Sequence, residues 1–272
     1  MEQSTRVIDG AESFFFDGND TGILILHGFI GTPQSVRYIG DELAQLGYTV
    51  YAPRLAGHGT DYLDLEECTY HDWLHSAEIG LEKLRKHCKS IFILGQSMGG
   101  TLTILLAEKF KGIAGIILIN TALSIPNLDY LKGNTIQQYV DEGTPDIKDK
   151  EADEIIYKKV PVKAIHEIQK LMDIAPASIK RIHCPLLCFK SLEDHVVPHE
   201  NTDKIIKEVG SQDKEVKILQ HSYHVATMDF EKDRIIEDSH LFIQTRVSAG
   251  YLEDRQKEEW RLQGKIGGRE IG

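Results

Sequence analysis

The sequence predicts an α/β fold with a mostly parallel central sheet flanked by helices, and two observations lead to that prediction. Short apolar runs alternate along the chain with longer runs that repeat their apolar residues at helical spacing. Most of the short runs are apolar throughout, as expected for strands of a parallel sheet that is covered on both faces. The alternation therefore favours one sheet between two layers of helices.

Six of the short runs are predicted to be strands, and five of the longer runs are predicted to be helices. The predicted strands are Gly22–Leu26, Thr49–Ala52, Ser90–Leu94, Ile113–Ile119, Leu186–Phe189 and Glu215–Leu219. The predicted helices are Ser35–Leu46, His71–His87, Gly99–Phe110, Glu200–Val209 and Asp233–Thr245. Ligands of parallel sheets bind beyond the carboxyl ends of the strands, so the residues that follow each strand are the first candidates for a functional site.

The alternation is interrupted once, between about residue 122 and residue 177. This stretch is acidic and lysine-rich, lacks a strong strand pattern, and carries short helical patches at Asp153–Lys159 and Lys163–Met172. We predict that residues 122–177 form an insertion over the strand ends, so that residues 1–121 and 178–247 make up the core. Residues 248–272 are predicted to be a charged, solvated tail.

Charge and hydropathy exclude several classes of partner. The 272 residues include 31 Lys and Arg against 42 Asp and Glu, which gives a formal net charge of −11. Nucleic acids and anionic lipid surfaces attract basic proteins, so neither is an expected partner. No apolar run approaches the ~18 residues of a membrane span, and the N-terminus lacks an apolar signal core. We expect a cytoplasmic protein without an integral membrane segment.

The cysteine and histidine spacings predict no metal site. The four cysteines are dispersed and lie mostly in apolar stretches, which is typical of reduced thiols. His183, Cys184 and Cys188 lack a second pair at zinc-site spacing. His195 and His199 are four residues apart, but Pro198 separates them and no third ligand is evident, so they are interpreted as loop and helix-start residues.

The strongest chemical signal is a Gly-x-Ser-x-Gly motif at Gly95–Gly99, between the predicted strand Ser90–Leu94 and a helical pattern. A sharp strand-to-helix turn of this kind exposes one serine hydroxyl, and its glycines avoid clashes in the crowded turn. From average Gly and Ser usage, the bare string should occur by chance in roughly one chain in ten of this size. Its position between strand and helix makes Ser97 the candidate nucleophile.

A serine nucleophile needs a base and an acid that orients the base, and at such turns they follow in the order Ser, acid, His. Asp194 and His224 each follow one of the last two predicted strands. They are therefore expected at the same sheet edge as Ser97. Asp194 is preferred because a short carboxylate on a turn suits the role, while Glu193 and His221 remain the alternatives.

Two backbone N–H groups are candidate donors for an oxyanion hole. One belongs to Met98, directly after the nucleophile, and the other belongs to Phe29 in the loop His27–Thr32 that follows an early strand. Gly28 and Gly31 let this loop approach the nucleophile. By itself, the His-Gly pair of this loop is equally consistent with a plain turn at a strand end.

Six stretches of the chain form a joint pattern. They are His27-Gly28-Phe29-x-Gly31-Thr32-Pro33, Pro53-Arg54-Leu55-x-Gly57-His58-Gly59-Thr60, His71-Asp72-Trp73, Gly95-x-Ser97-Met98-Gly99-Gly100-Thr101-Leu102-Thr103, Asp194-His195-Val196-Val197-Pro198 and Ser222-Tyr223-His224-Val225-Ala226-Thr227. Together they resemble the α/β-hydrolase superfamily, and more narrowly its bacterial monoacylglycerol lipase and carboxylesterase group. The resemblance extends to about residue 247. One departure is Gln96, where members of the group carry an apolar residue.

The resemblance implies that Ser97, Asp194 and His224 form a catalytic triad, with Phe29 and Met98 as oxyanion donors. It implies a serine esterase that forms an acyl-enzyme on a small-molecule ester and needs no metal or organic cofactor. Hydrolysis of monoacylglycerols to fatty acid and glycerol is the leading expectation. A broad carboxylesterase, a thioesterase or a cinnamoyl-type esterase is the alternative, and a non-catalytic binding protein is disfavoured because every required part is present.

The resemblance also implies that residues 122–177 form a small, mostly helical cap over an apolar acyl tunnel. Glu154 resembles a cap acid that members of the group use to accept a hydrogen bond from a substrate hydroxyl, and a solvated surface glutamate is the alternative. The tunnel wall is expected to include Ile30, Ile125, Leu128, Ile155 and Val197.

Overall fold

The computed structural model describes residues 6–248, and nine strands lie in that range. They are β1 (Phe14–Phe16), β2 (Thr21–Leu26), β3 (Thr49–Ala52), β4 (Ser90–Gln96), β5 (Gly115–Ile119), β6 (Tyr139–Asp141), β7 (Lys159–Pro161), β8 (Leu186–Ser191) and β9 (Lys214–Leu219). Seven strands form one sheet in the order β1-β3-β2-β4-β5-β8-β9, while β6 and β7 pair separately. In the large sheet β1 is antiparallel to β3 and the remaining neighbours are parallel, which confirms the predicted mostly parallel sheet.

Helices cover both faces of the large sheet. They are α1 (Arg37–Gln45), α2 (Tyr62–Glu66), α3 (Tyr70–Arg85), α4 (Met98–Lys109), α5 (Val162–Ile174), α6 (Pro176–Ile179), α7 (Glu200–Glu208) and α8 (232–248). Short 3₁₀ helices occupy Pro33–Val36, Pro126–Leu131 and Ala226–Met228. Each predicted strand and helix of the core therefore has a counterpart in the structure, with ends shifted by a few residues.

Burial on both faces explains why the strands are apolar throughout. In β2, Leu24 and Leu26 belong to the same apolar cluster as Trp73 of α3, on one face of the sheet. Ile23 and Ile25 belong to the cluster on the other face. Successive side chains of a strand point to opposite faces, so two covered faces favour an unbroken apolar run.

The chain reverses its direction across the sheet between β2 and β4. From β2 it passes outward to β3, and it then returns to place β4 against the other edge of β2. At such a reversal the loops that follow the two inner strands separate and leave a crevice at the carboxyl ends. The loop after β2 carries Phe29 and the turn after β4 carries Ser97, so the crevice lies between the candidate residues.

Between β5 and β8 the chain leaves the sheet, and here the structure differs from the sequence prediction. The interval contains the β6–β7 pair, which the sequence pattern does not predict, together with α5 and α6. Helix α5 confirms the predicted helical patch at Lys163–Met172, but the patch at Asp153–Lys159 is wrong because it is not helical. Its backbone bonds elsewhere: the carbonyl of Asp153 and the N–H of Ile155 both bond to the side-chain amide of Gln34.

No helix within residues 6–248 has the length and apolar character that a membrane crossing requires. The four cysteines, all inside that range, are free thiols. The predicted tail, residues 248–272, lies outside the described residues except for residue 248.

Candidate active site

Ser97 lies on a sharp turn between β4 and α4. Its backbone has φ 54° and ψ −119°, a conformation with positive φ that residues other than glycine rarely adopt. A Cβ atom on Gly95 would overlap the carbonyl of Gly99, and a Cβ atom on Gly99 would overlap the carbonyl of Leu26. The two glycines of the motif are therefore required by close packing, and strain is concentrated at the serine between them.

Ser97, His224 and Asp194 are joined by a chain of hydrogen bonds. The Oγ atom of Ser97 lies 2.9 Å from Nε2 of His224, and Nδ1 of His224 lies 2.8 Å from Oδ2 of Asp194. An ionised carboxylate only accepts hydrogen bonds, so Nδ1 carries the proton and Nε2 is free to accept from the serine hydroxyl. The other oxygen of Asp194 accepts the N–H groups of Val196 and Val197 at 2.9 and 2.8 Å. These bonds fix the carboxylate that orients the imidazole.

The pKa of His224 is raised above its ordinary value although the ring is buried. Burial disfavours the charged ring and by itself lowers this pKa. The charge and the hydrogen bond of Asp194 raise it, and the charges of Asp146 and Glu154 add to that effect. The surroundings therefore stabilise the imidazolium that forms when His224 takes a proton.

The loop after β2 and the start of α4 both lie close to the nucleophile. Met98 is the first residue of α4, so its N–H lies at the helix start, where no acceptor within the helix is available. A Cβ atom on Gly28 would lie 3.4 Å from Cβ of Ser97, which shows how closely the loop approaches. Phe29 lines the same cavity as Ser97, and Ile30 has a φ of 57°, an outlier for a β-branched residue. The loop is held beside the serine in a strained conformation.

The ring of His27 fixes the peptide group between Gly28 and Phe29. Its Nδ1 atom donates to the carbonyl of Gly28 at 2.9 Å, and its Nε2 atom accepts from the N–H of Leu55 at 3.2 Å. Burial, with a smaller effect of the neighbouring His58 ring, lowers the pKa of His27 well below its ordinary value, so the ring is neutral as these bonds require. In a trans peptide the carbonyl and the next N–H point in opposite directions, so the Phe29 N–H is turned away from His27.

The rings of two motif residues from other parts of the chain pack against the ring of Phe29. The ring centroids of Phe29 and Trp73 are 5.7 Å apart, and those of Phe29 and His58 are 6.3 Å apart. Trp73 and His58 also contact each other edge to face, with centroids 5.7 Å apart. Such aromatic packing explains why these residue types accompany the loop after β2.

A buried polar network holds the loop that carries His224. The carbonyl of His224 accepts hydrogen bonds from the side-chain amides of Gln96 at 3.0 Å and Asn120 at 2.9 Å. Gln96 Oε1 accepts from the hydroxyl of Thr227 at 2.7 Å, and Asn120 Oδ1 accepts from the N–H of Ser191 at 2.9 Å. Asn120 also has a positive φ, of 45°. Asn120 directly follows β5, and this position after a strand is the signal in the sequence that could identify it.

A cavity of about 230 Å³ opens onto Ser97, and most of its lining side chains are apolar. Four of the six residues expected to bind substrate line it, namely Ile30, Ile125, Leu128 and Glu154. The last three belong to the interval between β5 and β8. The cavity is thus enclosed between that interval and the loop after β2.

The structure corrects the other two expected tunnel residues, because their neighbours Ile156 and Val196 line the cavity instead. The side chain of Val197 is buried in the apolar core. Ile155 lies beside Gly10, where a Cβ atom would be 3.3 Å from its Cδ1. Neither pair of neighbours lies in a helix or strand, so no periodic pattern in the sequence fixes which of the two side chains faces the cavity.

Glu154 places a carboxyl group in this cavity. A Cβ atom on Gly31 would lie 2.9 Å from its Oε1, so the carboxyl reaches the loop after β2. Burial raises its pKa to about 7, the charge of His224 and a hydrogen bond with Ser35 oppose that rise, and Glu142 adds to it. Near neutral pH both forms of the carboxyl are populated, and each can form a hydrogen bond with a hydroxyl group.

The alternatives to the acid and the base lie outside the hydrogen-bonded chain. The half-exposed carboxylate of Glu193 pairs with Lys148 at 2.9 Å. The backbone N–H of His221 donates to Glu231, and its side chain is exposed. No group of three or more His, Cys, Asp or Glu residues between residues 6 and 248 is arranged to hold a metal ion.

Comparisons with known proteins extend over most of the chain. The profile of the family described as serine aminopeptidase, S33 (Hydrolase_4) matches residues 18–232. A thermostable monoacylglycerol lipase of Bacillus sp. (strain H-257) is 43% identical over 241 residues, which cover 88% of this chain and 96% of that protein. A carboxylesterase of Bacillus subtilis (strain 168) is 28% identical over 237 residues, which cover 85% of this chain and 95% of that protein.

Among solved structures, one described with the metagenome-derived lipolytic enzymes LipS and LipT superimposes with a TM-score of 0.86 at 38% identity. The match covers 88% of this chain and 100% of that one. Sequence and structure thus relate the chain to the same group of hydrolases.

Proposed function

The chain belongs to the serine aminopeptidase, S33 (Hydrolase_4) family of α/β-hydrolases and is a serine hydrolase similar to monoacylglycerol lipases, and from that premise we propose that it hydrolyses monoacylglycerols to a fatty acid and glycerol. The observation that carries the proposal is the hydrogen-bonded chain from Ser97 through His224 to Asp194, which opens onto a mostly apolar cavity. In this proposal these three residues are the catalytic triad.

The first half of the reaction forms an acyl-enzyme. His224 takes the proton of Ser97 as Oγ attacks the ester carbonyl, while Asp194 holds the ring in the required tautomer. The N–H groups of Phe29 and Met98 donate to the oxygen that becomes negative in the tetrahedral intermediate. When the intermediate collapses, the alcohol leaves with the proton held by His224.

The second half releases the acid. Water enters the site of the departed alcohol, and His224 removes one of its protons as the oxygen attacks the acyl carbonyl. The same N–H groups stabilise the second tetrahedral intermediate. Ser97 leaves with the proton from His224, which restores the free enzyme and releases a carboxylic acid.

The cavity provides the argument for the substrate. We propose that residues 122–177 act as a cap whose apolar side chains, with Ile30, hold the acyl chain. The carboxyl of Glu154 reaches the loop after β2, and in this proposal it bonds to a hydroxyl of the glycerol. A neutral ester suits a cavity that also contains Glu142 and Asp146, because a charged carboxylate substrate would be repelled.

A labelling and substrate experiment tests this function. A fluorophosphonate probe should label the protein, and Ser97→Ala should abolish the labelling. The ratio of kcat/KM for a monoacylglycerol to that for the ethyl ester of the same acid should fall in Glu154→Ala, because the ethyl ester lacks the hydroxyl groups. Glu142→Gln, which changes another carboxyl of the cavity, is the matched control.

Two outcomes would count against the proposal. An absence of labelling in folded protein would reject a serine hydrolase mechanism. If Glu154→Ala lowers kcat/KM equally for the monoacylglycerol and the ethyl ester, the protein is better described as a broad carboxylesterase, the activity named for the Bacillus subtilis relative.

A further inference from the structure

Asp146 belongs to the interval between β5 and β8, yet it bonds to the loop that carries His224. Its Oδ2 atom accepts a hydrogen bond from the backbone N–H of His224 at 3.1 Å. Its own carbonyl accepts one from the N–H of Val225 at 3.1 Å. The side chain is only 16% exposed. A residue of the proposed cap therefore fixes two consecutive backbone positions at the candidate base.

The same carboxylate also bonds to the loop that carries Asp194. Oδ2 accepts from the backbone N–H of His195 at 3.0 Å, and Oδ1 lies 2.8 Å from Nδ1 of the His195 ring. His195 is the residue directly after Asp194. Hydrogen bonds to an ionised acceptor are roughly twice as strong as those between neutral groups. One partly buried charge thus links the acid loop to the base loop.

A second carboxylate, that of Asp229, accepts hydrogen bonds from the residues that follow Asp146. Asp229, which is fully buried, accepts the N–H of Lys148 at 2.8 Å and that of Asp149 at 3.0 Å. It also accepts the N–H of Tyr223, next to His224, at 2.8 Å. Residues 146–149 are therefore bonded to the base loop through two carboxylates. Asp146 belongs to the segment itself, and Asp229 follows the base loop in the chain.

We propose that Asp146 is a positioning residue of the enzyme, which keeps the loops of Asp194 and His224 at the separation that the hydrogen-bonded chain to Ser97 requires. This inference rests on the proposed function, because it assigns Asp146 a role relative to the triad. Asp146 acts through the backbone of His224 and through the residue that follows Asp194. The reaction step that depends on it is the proton transfer between Ser97 and His224.

Asp146 also contributes charge around the imidazole. Burial lowers the pKa of His224, and the charge of Asp146 is one of those that raise it. Loss of that charge is expected to lower this pKa and to move the acid limb of kcat/KM to lower pH. The other charged or titratable groups around the two residues are Asp194, Glu154, His195, Lys148, Glu193, Tyr223 and Asp229.

The experiment compares Asp146→Asn, Asp146→Ala and Asp146→Glu with Asp173→Asn, which removes one charge from the exposed surface of α5. For each protein, kcat and KM for p-nitrophenyl butyrate are measured as a function of pH, with the melting temperature. This ester has no glycerol, so the result does not depend on the substrate assignment. Fluorophosphonate labelling of the wild-type protein is measured in the same series.

We expect kcat/KM to fall about 10-fold to 100-fold in Asp146→Asn and Asp146→Ala, since a misplacement of about 1 Å can cost that much. In both variants the acid limb should move to lower pH. Asp146→Glu should keep the acid limb of the wild type because it keeps the charge. Asp173→Asn should match the wild type in rate and in pH profile.

Wild-type rates with an unchanged acid limb in Asp146→Asn would overturn the inference. A loss of rate without movement of the acid limb would also overturn it, because the residue would then have only a structural role. If the uncharged variants do not fold, Asp146→Glu decides, and a shifted acid limb in that variant rejects the role of the charge. Failure of the wild type to be labelled would reject the proposed function instead, so the two failures are distinguishable.

Discussion

The side-chain amide of Gln96 connects His224 to Thr227. Nε2 of Gln96 donates to the carbonyl of His224 at 3.0 Å, and Oε1 of Gln96 accepts from the hydroxyl of Thr227 at 2.7 Å. Gln96 is the last residue of β4 and the position at which the resemblance implied an apolar residue. The structure provides a partner for each end of its amide, and both partners are buried. The polar residue is therefore built into the support of the base loop.

Replacement of Gln96 by leucine should destabilise the protein by about 1–3 kcal/mol, because the buried hydroxyl of Thr227 loses its acceptor. In a protein of this size that corresponds to a melting temperature lower by about 2–4 °C for each kcal/mol. Urea and thermal unfolding measure the change. In a double-mutant cycle with Thr227→Val, the double variant should be less destabilised than the sum of the single variants, and simple additivity would contradict the coupling.

Asp194→Asn should lower kcat by about 10⁴-fold, because an amide at this position no longer holds the tautomer of His224 that accepts the serine proton. Glu193→Gln is the matched control, since that carboxylate is half-exposed and pairs with Lys148. It should retain kcat close to that of the wild type. Steady-state rates on a p-nitrophenyl ester are sufficient, and a larger loss in Glu193→Gln than in Asp194→Asn would reverse the assignment of the acid.

Glu154→Gln should change the pH dependence of stability. The pKa of Glu154 is about 7 in the folded protein against an ordinary value of 4.5, so between these pH values the folded state holds a proton that the unfolded state releases. The free energy of unfolding contributed by this group therefore falls as pH rises through that window. Glutamine does not titrate, so the variant should gain stability relative to the wild type between pH 5 and pH 8. Urea unfolding at pH 5 and pH 8 measures the free energy of unfolding of both proteins. A difference between variant and wild type that is the same at the two pH values would contradict the raised pKa.

Leu128→Trp should shorten the range of acyl chains that the enzyme accepts, because the larger side chain fills part of the cavity of about 230 Å³. Each methylene that can no longer be buried costs up to about 0.8 kcal/mol of binding. The expected result is a lower kcat/KM for long-chain p-nitrophenyl esters with little change for the acetate. Ile136→Trp, at a side chain that is 93% exposed, is the control. Equal loss at all chain lengths in Leu128→Trp would show that Leu128 does not contact the acyl chain.

The sequence predicts the core well because its central strands must be apolar on both faces. β2 is buried on both faces, so its apolar run is visible without knowledge of its neighbours. Polar residues at strand ends then identify Ser97, Asp194 and His224, since parallel strands bring their carboxyl ends together. Elements with little burial escape this reasoning: β1 has three residues at the sheet edge, and α2 has a single buried residue.

The interval between β5 and β8 is predicted less well for a related reason. The segment at Asp153–Lys159 bonds to Gln34, more than a hundred positions earlier, and β6 pairs with β7 across a long loop. Asp146 bonds to His224, 78 positions later. Contacts of this kind leave no periodic pattern, so helical spacing alone predicts a helix at Asp153–Lys159, where the structure has none.

The bonds at residues 146–149 divide the interval over the cavity into parts with different contacts. Because Asp146 and Asp229 tie this segment to the loop of His224, two arcs remain on either side of it, residues 122–145 and residues 150–177. Apart from Asp146, every residue that the interval contributes to the cavity wall belongs to one of these arcs. The anchor of the base and most of the wall around the cavity are thus separate parts of one interval.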